Sequence, residues 1–139
     1  MKASAEVILD AGPLVAWLSA SDQHHAWCAD IFDRLALPLV TTEAVIAETA
    51  HHLLGYERSA DALCEILESG GLRLVPITDL RAVCAFMRRH QTDFTDASIV
   101  WLSEQLPHAR VFTADFGDFQ VYRRFRNQPL PLIGKPPGW

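Results

Sequence analysis

Four short runs along the chain are apolar at consecutive positions rather than at alternate ones: Val7-Ile8-Leu9, Leu39-Val40-Thr41, Leu72 to Ile77 and Arg110 to Thr113. Strands that are apolar on both faces belong inside a sheet that is covered on both sides. A fifth run, Leu130 to Ile133, carries Pro131 and reads as an edge strand. The segments between these runs have apolar residues at helical spacing. Ser21 or Asp22 caps a run to Leu35, Thr42 opens one that ends at Gly55, and Asp61 to Glu68 is stopped by Gly70-Gly71. Thr78 caps Leu80 to Arg89, and Thr95 caps a run that Pro107 stops. Strands alternating with helices predict an α/β class, a three-layer α/β/α architecture around a parallel sheet of four to five strands. Neither a repeat nor a linker divides the chain, which reads as one domain over 1–139 with residues 134–139 as an extended tail.

Composition narrows this picture. Half of the 139 residues are apolar and 21% are charged, which is enough apolar material for a core and excludes a disordered chain. No apolar run reaches the roughly 18 residues that span a bilayer, and the polar stretch Met1 to Glu6 does not resemble a leader, so no membrane is expected. Cys28, Cys64 and Cys84 lie far apart among apolar residues and read as reduced core thiols, which suits the cytoplasm. The net charge of −5 argues against a nucleic-acid partner only if the acids are spread evenly.

They are not. Ligands of an open parallel sheet bind beyond the carboxyl ends of its strands. Asp10 ends the first strand, just before Ala11-Gly12-Pro13, and Asp115 follows the fourth. Two more acids come from helices. Glu48 lies among small and apolar neighbours, and Asp96 sits at a helix start, where the dipole favours a carboxylate. Asp93 either joins that group or decorates the turn. Taken singly, Asp10 and Asp115 are equally well explained as turn formers or caps, while Glu48 alone reads better as a solvated helix residue and Asp96 alone as a charge complementing the helix dipole. Taken together, they require four elements to deliver a carboxylate to one sheet edge. Carboxylates so gathered repel one another, and a divalent cation resolves the repulsion. An all-oxygen set suits Mg²⁺ or Mn²⁺, one ion or two.

At these points the sequence resembles the PIN domain family, in particular the VapC-type ribonuclease toxins of toxin–antitoxin pairs. The matching segments are Val7 to Ala16, Val45 to Glu48, Phe94 to Glu104 and Val111 to Phe119, in family order. The resemblance implies a nuclease that cuts RNA with Mg²⁺ or Mn²⁺ held by Asp10, Glu48, Asp96 and Asp115. Thr113 matches a hydroxyl position that supports the site, and Asp118 stands where relatives often carry a further acid. It also implies metal-activated water attacking a phosphodiester in line, a homodimer, and a cognate antitoxin whose tail covers the site. One departure is Phe116-Gly117, where many relatives have basic residues.

Other features weigh less. Arg88 and Arg89, just before Asp93, are candidate phosphate contacts, and Arg123-Arg124-Arg126 reads as an exposed basic loop. His24-His25 and His51-His52 lack a metal-binding pattern; His52, one turn past Glu48, is at most a neighbour of the site. Trp17, Trp27 and Trp101 fall on apolar faces and read as packing residues. A phosphoacceptor domain would need a lysine at a late strand end, and the only lysines are Lys2 and Lys135. The remaining rivals are an RNA-processing nuclease outside any toxin pair and a non-catalytic module of the same fold.

Overall fold

A computed structural model describes residues 6–134, so most of the predicted tail lies outside the described residues. The elements run β1 (Val7–Leu9), α1 (Ala11–Leu18), α2 (His25–Asp33), β2 (Leu39–Thr41), α3 (Glu43–His52), α4 (Glu57–Glu68), β3 (Leu72–Leu74), α5 (Leu80–His90), α6 (Phe94–Gln105), β4 (Arg110–Phe112), α7 (Phe116–Phe119), β5 (Arg123–Arg124) and β6 (Gln128–Pro129). The main sheet has the order β3-β2-β1-β4, with all its pairings parallel and Ile8 opposite both Val40 and Val111. Strand order reverses at β1, so the crevice between the ends of β1 and β4 is the switch point where such sheets bind ligands.

Each strand side packs into its own core. Ile8, Val40 and Val111 face a layer formed by α5 and α6, including Val83, Phe86, Ile99 and Leu102. Val7, Leu9, Leu39, Leu72 and Phe112 face the opposite layer, with Leu14, Cys28, Phe32 and Leu63 from α1, α2 and α4. The fold is a three-layer α/β/α sandwich, as the apolar runs predict. Trp17 stacks on Phe32 at 4.1 Å and Trp27 meets Phe112 edge-on, while Trp101 is buried in the other layer. In α6, Ala97 through Ser103 are all buried, and both serine hydroxyls return to carbonyls of their own helix. A helix packed on every side has no solvent face to keep polar.

Several expectations need correction. β3 stops at Leu74 because its partner β2 ends at Thr41, where Thr42 caps α3; Val75 N–H to the Thr41 carbonyl is the last bond of the ladder. The run around Leu132 does lie parallel beside β4, through Val111 N–H to Pro131 O and Ile133 N–H to Val111 O, but only as a single bridge. The helix caps shift to neighbouring residues. Asp79, not Thr78, caps α5 by accepting from Ala82 N–H, and Asp93, not Thr95, caps α6. α2 begins at His25, because Asp22 spends its carboxylate on His24 N–H in the preceding turn. α4 starts at Glu57, a turn earlier than Asp61. Of the cysteines only Cys28 is core, where burial pushes its thiol up to about 12; Cys64 is exposed and Cys84 half-buried, and all are free.

The basic segment after α7 is not a loose loop. It forms a β5–β6 hairpin, and Arg124 turns inward to 4% exposure. Its guanidinium donates to the carbonyls of Ser103 at 2.7 Å and Pro107 at 2.9 Å, closing the C-terminal end of α6. Arg123 is also occupied, donating to the carbonyls of Gln120, Val121 and Tyr122. Hydrogen bonds to a charged group contribute about 1.5–3 kcal/mol. Arg124→Ala is therefore expected to destabilise the fold by about 3 kcal/mol, read as a lower urea midpoint; an unchanged midpoint would contradict this role.

Candidate metal centre and active site

The crevice at the switch point is a cleft of about 700 Å³ lined by Asp10, Glu48, Asp93, Asp96, Asp115 and Asp118, with Asp22, His24, His52, Gln91 and Thr92 at its walls. Each acid arrives for a local reason. Asp10 is the N-cap of α1: Oδ1 accepts from Ala11 N–H at 2.8 Å, and the residue is 6% exposed. Its other oxygen, Oδ2, accepts from the Thr113 hydroxyl at 2.8 Å, and that hydroxyl in turn accepts from Asp115 N–H at 3.0 Å. Thr113 thus fastens the end of β1 to the turn after β4. Gly12 permits the close fit of those turns, since a Cβ there would stand 3.2 Å from the Ala114 Cβ.

Glu48 projects from α3, whose start is fixed by Thr42; the Thr42 hydroxyl accepts from Val45 N–H and pairs with Ser98 of α6 at 2.8 Å. Asp93 caps α6 by accepting from Asp96 N–H at 2.8 Å, so it both shapes the turn and lines the cleft. Asp115 caps α7 by accepting from Asp118 N–H. Among the described residues, Asp96, Asp115 and Asp118 each offer a carboxylate oxygen within 4.8 Å of the others. Asp10, Glu48 and Asp93 line the same cleft around that trio.

The electrostatic cost of this assembly is visible in the protonation equilibria. Burial, with Asp96 and Glu48 adding repulsion, pushes the Asp10 carboxyl up to about 7 despite the bonds from Thr113 and Ala11. Burial pushes Asp96 up to about 6; the Tyr122 bond opposes the shift, and Asp93, Asp115 and Asp118 add to it. Glu48 is raised by burial and by Asp93, with His52 opposing, and Asp115 is raised by burial and its neighbour Asp118. A hard divalent cation matches this all-oxygen set and removes the repulsion that raises these groups.

Of the other residues singled out in the sequence, Thr113 does not line the cleft and acts through Asp10 and Asp115. Arg88 and Arg89 are exposed in the last turn of α5, next to the cleft residues Gln91 and Thr92, with Arg89 lying over the Phe86 ring. Sequence reasoning missed His24 as a wall residue, and it missed Tyr122. The Tyr122 hydroxyl donates to Asp96 Oδ2 at 2.6 Å and meets the Thr92 hydroxyl at 2.6 Å. One signal was available: Asp115, Asp118 and Tyr122 are spaced three and four apart, which is one face of a helical turn.

Comparison with known proteins agrees with this geometry. The PIN domain family matches the sequence over residues 7–124, and the chain belongs to that family, whose members are nucleases. Among solved structures, it is similar to Mycobacterium tuberculosis VapC20, described as a sarcin–ricin loop cleaving toxin, with a TM-score of 0.71 and 21% identity over 81% of this chain and 93% of that one. It is also similar to a toxin–antitoxin complex from Klebsiella pneumoniae, with a TM-score of 0.66 and 11% identity over 93% and 97% of the two chains. A protein from Pyrobaculum aerophilum gives a TM-score of 0.57 and 18% identity over 88% and 92%. At these identities the likeness establishes the shared fold. No curated protein matches the chain in sequence. Among the described residues, no helix is long and apolar enough to cross a membrane.

If Thr113 anchors Asp10 as the bonds indicate, Thr113→Val removes that anchor while keeping the side chain's shape. Partners that orient metal ligands are typically worth 10–100-fold in affinity. Mn²⁺ affinity, followed by titration calorimetry, is expected to fall by about tenfold; retention of the unmodified affinity would leave Thr113 a merely structural residue.

Proposed function

We propose that this protein is a divalent-cation-dependent endoribonuclease and the toxin of a toxin–antitoxin pair. The observation that carries the reading is the convergence of Asp10, Glu48, Asp93, Asp96, Asp115 and Asp118, with Asp22 at the wall, in one cleft at the switch point. Membership of the PIN family and the fold shared with VapC20 and the Klebsiella complex support it. Asp10, Glu48, Asp96 and Asp115 are the residues that would hold Mg²⁺ or Mn²⁺, with Asp118 and Asp93 able to complete the set. A cation bound there supplies a more acidic water and positive charge for the phosphodiester oxygens.

The chain's own residues do the rest. Thr113 holds Asp10 in place, and the N-capped starts of α1, α6 and α7 fix where the carboxylates stand. Arg88 and Arg89 lie where an RNA backbone entering beside Gln91 and Thr92 would meet positive charge, which the cleft itself lacks apart from His24 and His52. Hydrolysis would leave a 5′-phosphate and a 3′-hydroxyl. A homodimer, a cognate antitoxin and a cytoplasmic location complete the reading by analogy with the toxins that share the fold.

The test is cleavage of a broad RNA panel by the purified chain in Mg²⁺, in Mn²⁺ and with chelator. Cutting that needs the cation supports the nuclease; absence of cutting with Mn²⁺ still bound would favour a non-catalytic module. Cleavage without toxicity on expression would favour an RNA-processing role.

A further inference from the structure

Tyr122 lies 26 residues beyond Asp96, yet its hydroxyl is the donor closest to that carboxylate. The ring is 5% exposed and is packed edge-on by Phe86 at 5.4 Å, His90 at 5.8 Å and Phe119 at 5.1 Å, so the position of the hydroxyl is fixed by packing. Because its one proton goes to Asp96, Tyr122 accepts at the other contact, and Thr92 donates to it. Thr92 is itself set by the α5–α6 turn: Gln91 adopts the left-handed conformation, and Thr92 N–H closes on the Met87 carbonyl. The Thr92 hydroxyl also stands 3.4 Å from Asp96 Oδ2, so Thr92, Tyr122 and Asp96 form a closed triangle whose shorter contacts run through Tyr122.

Tyr122 also belongs to the segment that brings the other acids. Its N–H bonds to the Asp118 carbonyl, continuing the turn that Asp115 opens. Residues 115, 118 and 122 therefore approach Asp96 from one short stretch of chain: two carboxylates, each with an oxygen within 4.8 Å of one of Asp96, and the hydroxyl that bonds Asp96. A carboxylate surrounded by like charges would otherwise turn away from them into whatever rotamer separates the charges best.

We propose that Tyr122, supported by Thr92, is a positioning residue that holds the Asp96 carboxylate in its cation-binding orientation against the repulsion of Asp93, Asp115 and Asp118. The proposal rests on the reading of Asp96 as a metal ligand. Mn²⁺ binding to the purified protein, followed by electron paramagnetic resonance, tests the two separately. Tyr122→Phe keeps the ring and its packing, so the cation-free melting temperature should stay close to that of the unmodified chain. Its Mn²⁺ affinity should fall about tenfold, within the range for partners that orient metal ligands, and that of Thr92→Val by less. RNA cleavage by Tyr122→Phe should recover at saturating Mn²⁺ with KM for RNA unchanged. Mn²⁺ affinity in Tyr122→Phe equal to that of the unmodified chain would overturn the positioning role while leaving the metal centre intact. Equal affinity in Asp96→Asn would instead overturn the assignment of Asp96 as a ligand, and with it this proposal.

Discussion

In the absence of divalent cations, the protein is expected to lose stability as the pH rises from 5 to 8, with a fall in melting temperature of about 10 °C. The sign follows from the direction of the shifts. Asp10 is held near 7 and Asp96 near 6 in the fold, against 3.8 for an ordinary aspartate, so between those limits the folded chain binds protons that the unfolded chain has released. Stability is then greatest at the acid end of the window and is lost as each group ionises; above about pH 7 the whole penalty is present. For the buried Asp10 alone, the rise from 3.8 to about 7 corresponds to about 4 kcal/mol. Saturating Mg²⁺ at pH 8 should restore much of the loss, because a bound cation stabilises the ionised set and binds only the folded site. Thermal melts in chelator at pH 5, 6.5 and 8, repeated with Mg²⁺, check this. A melting temperature that rises with pH in chelator would mean that the acids are not gathered as described.

Asp96→Asn should move activity and stability in opposite directions. Asn keeps the shape and can still accept from Tyr122, but it removes one charge from the trio of Asp96, Asp115 and Asp118. With Asp96 a cation ligand as proposed, its loss removes several kcal/mol of cation-supplied stabilisation and is expected to lower the cleavage rate at least about a thousandfold. In chelator at pH 8 the same variant should melt above the unmodified protein, since one source of repulsion is gone. Cleavage retained in full would exclude Asp96 from the catalytic set; activity lost together with a lower melting temperature would point to a folding defect.

Much of this arrangement could be read from the chain. β1, β2 and β4 were legible because a strand buried on both sides leaves an unbroken apolar run, and Asp10 and Asp115 stood out as the first charges after such runs. The helix starts were less legible because several cap-competent residues stood in a row. Which of Thr78 and Asp79, or of Asp93 and Thr95, takes the N-cap depends on backbone angles that the tertiary fold decides. β5 and β6, two residues each, have no room for a pattern. Arg124 was misleading for a different reason: a guanidinium in a basic run is ordinarily solvated, and only the carbonyls of Ser103 and Pro107, reached across the fold, explain its burial. The spacing of Tyr122 from Asp118 placed it near the acids, but its bond to Asp96 of α6, a contact across the fold, left no local trace.

The bond between Thr113 and Asp10 joins residues 103 positions apart, and Glu48 and Asp96 stand between them in the chain. No contiguous piece shorter than that span contains the full acid set. A chain severed at the exposed turn around Gly55 would leave Asp10 and Glu48 on one fragment and Asp93, Asp96, Asp115 and Asp118 on the other. Neither half alone would hold the full acid set, and the cleft would form only when the two reassociate. That would make the cleft a natural logic gate, one that reports the meeting of two halves of a single sheet.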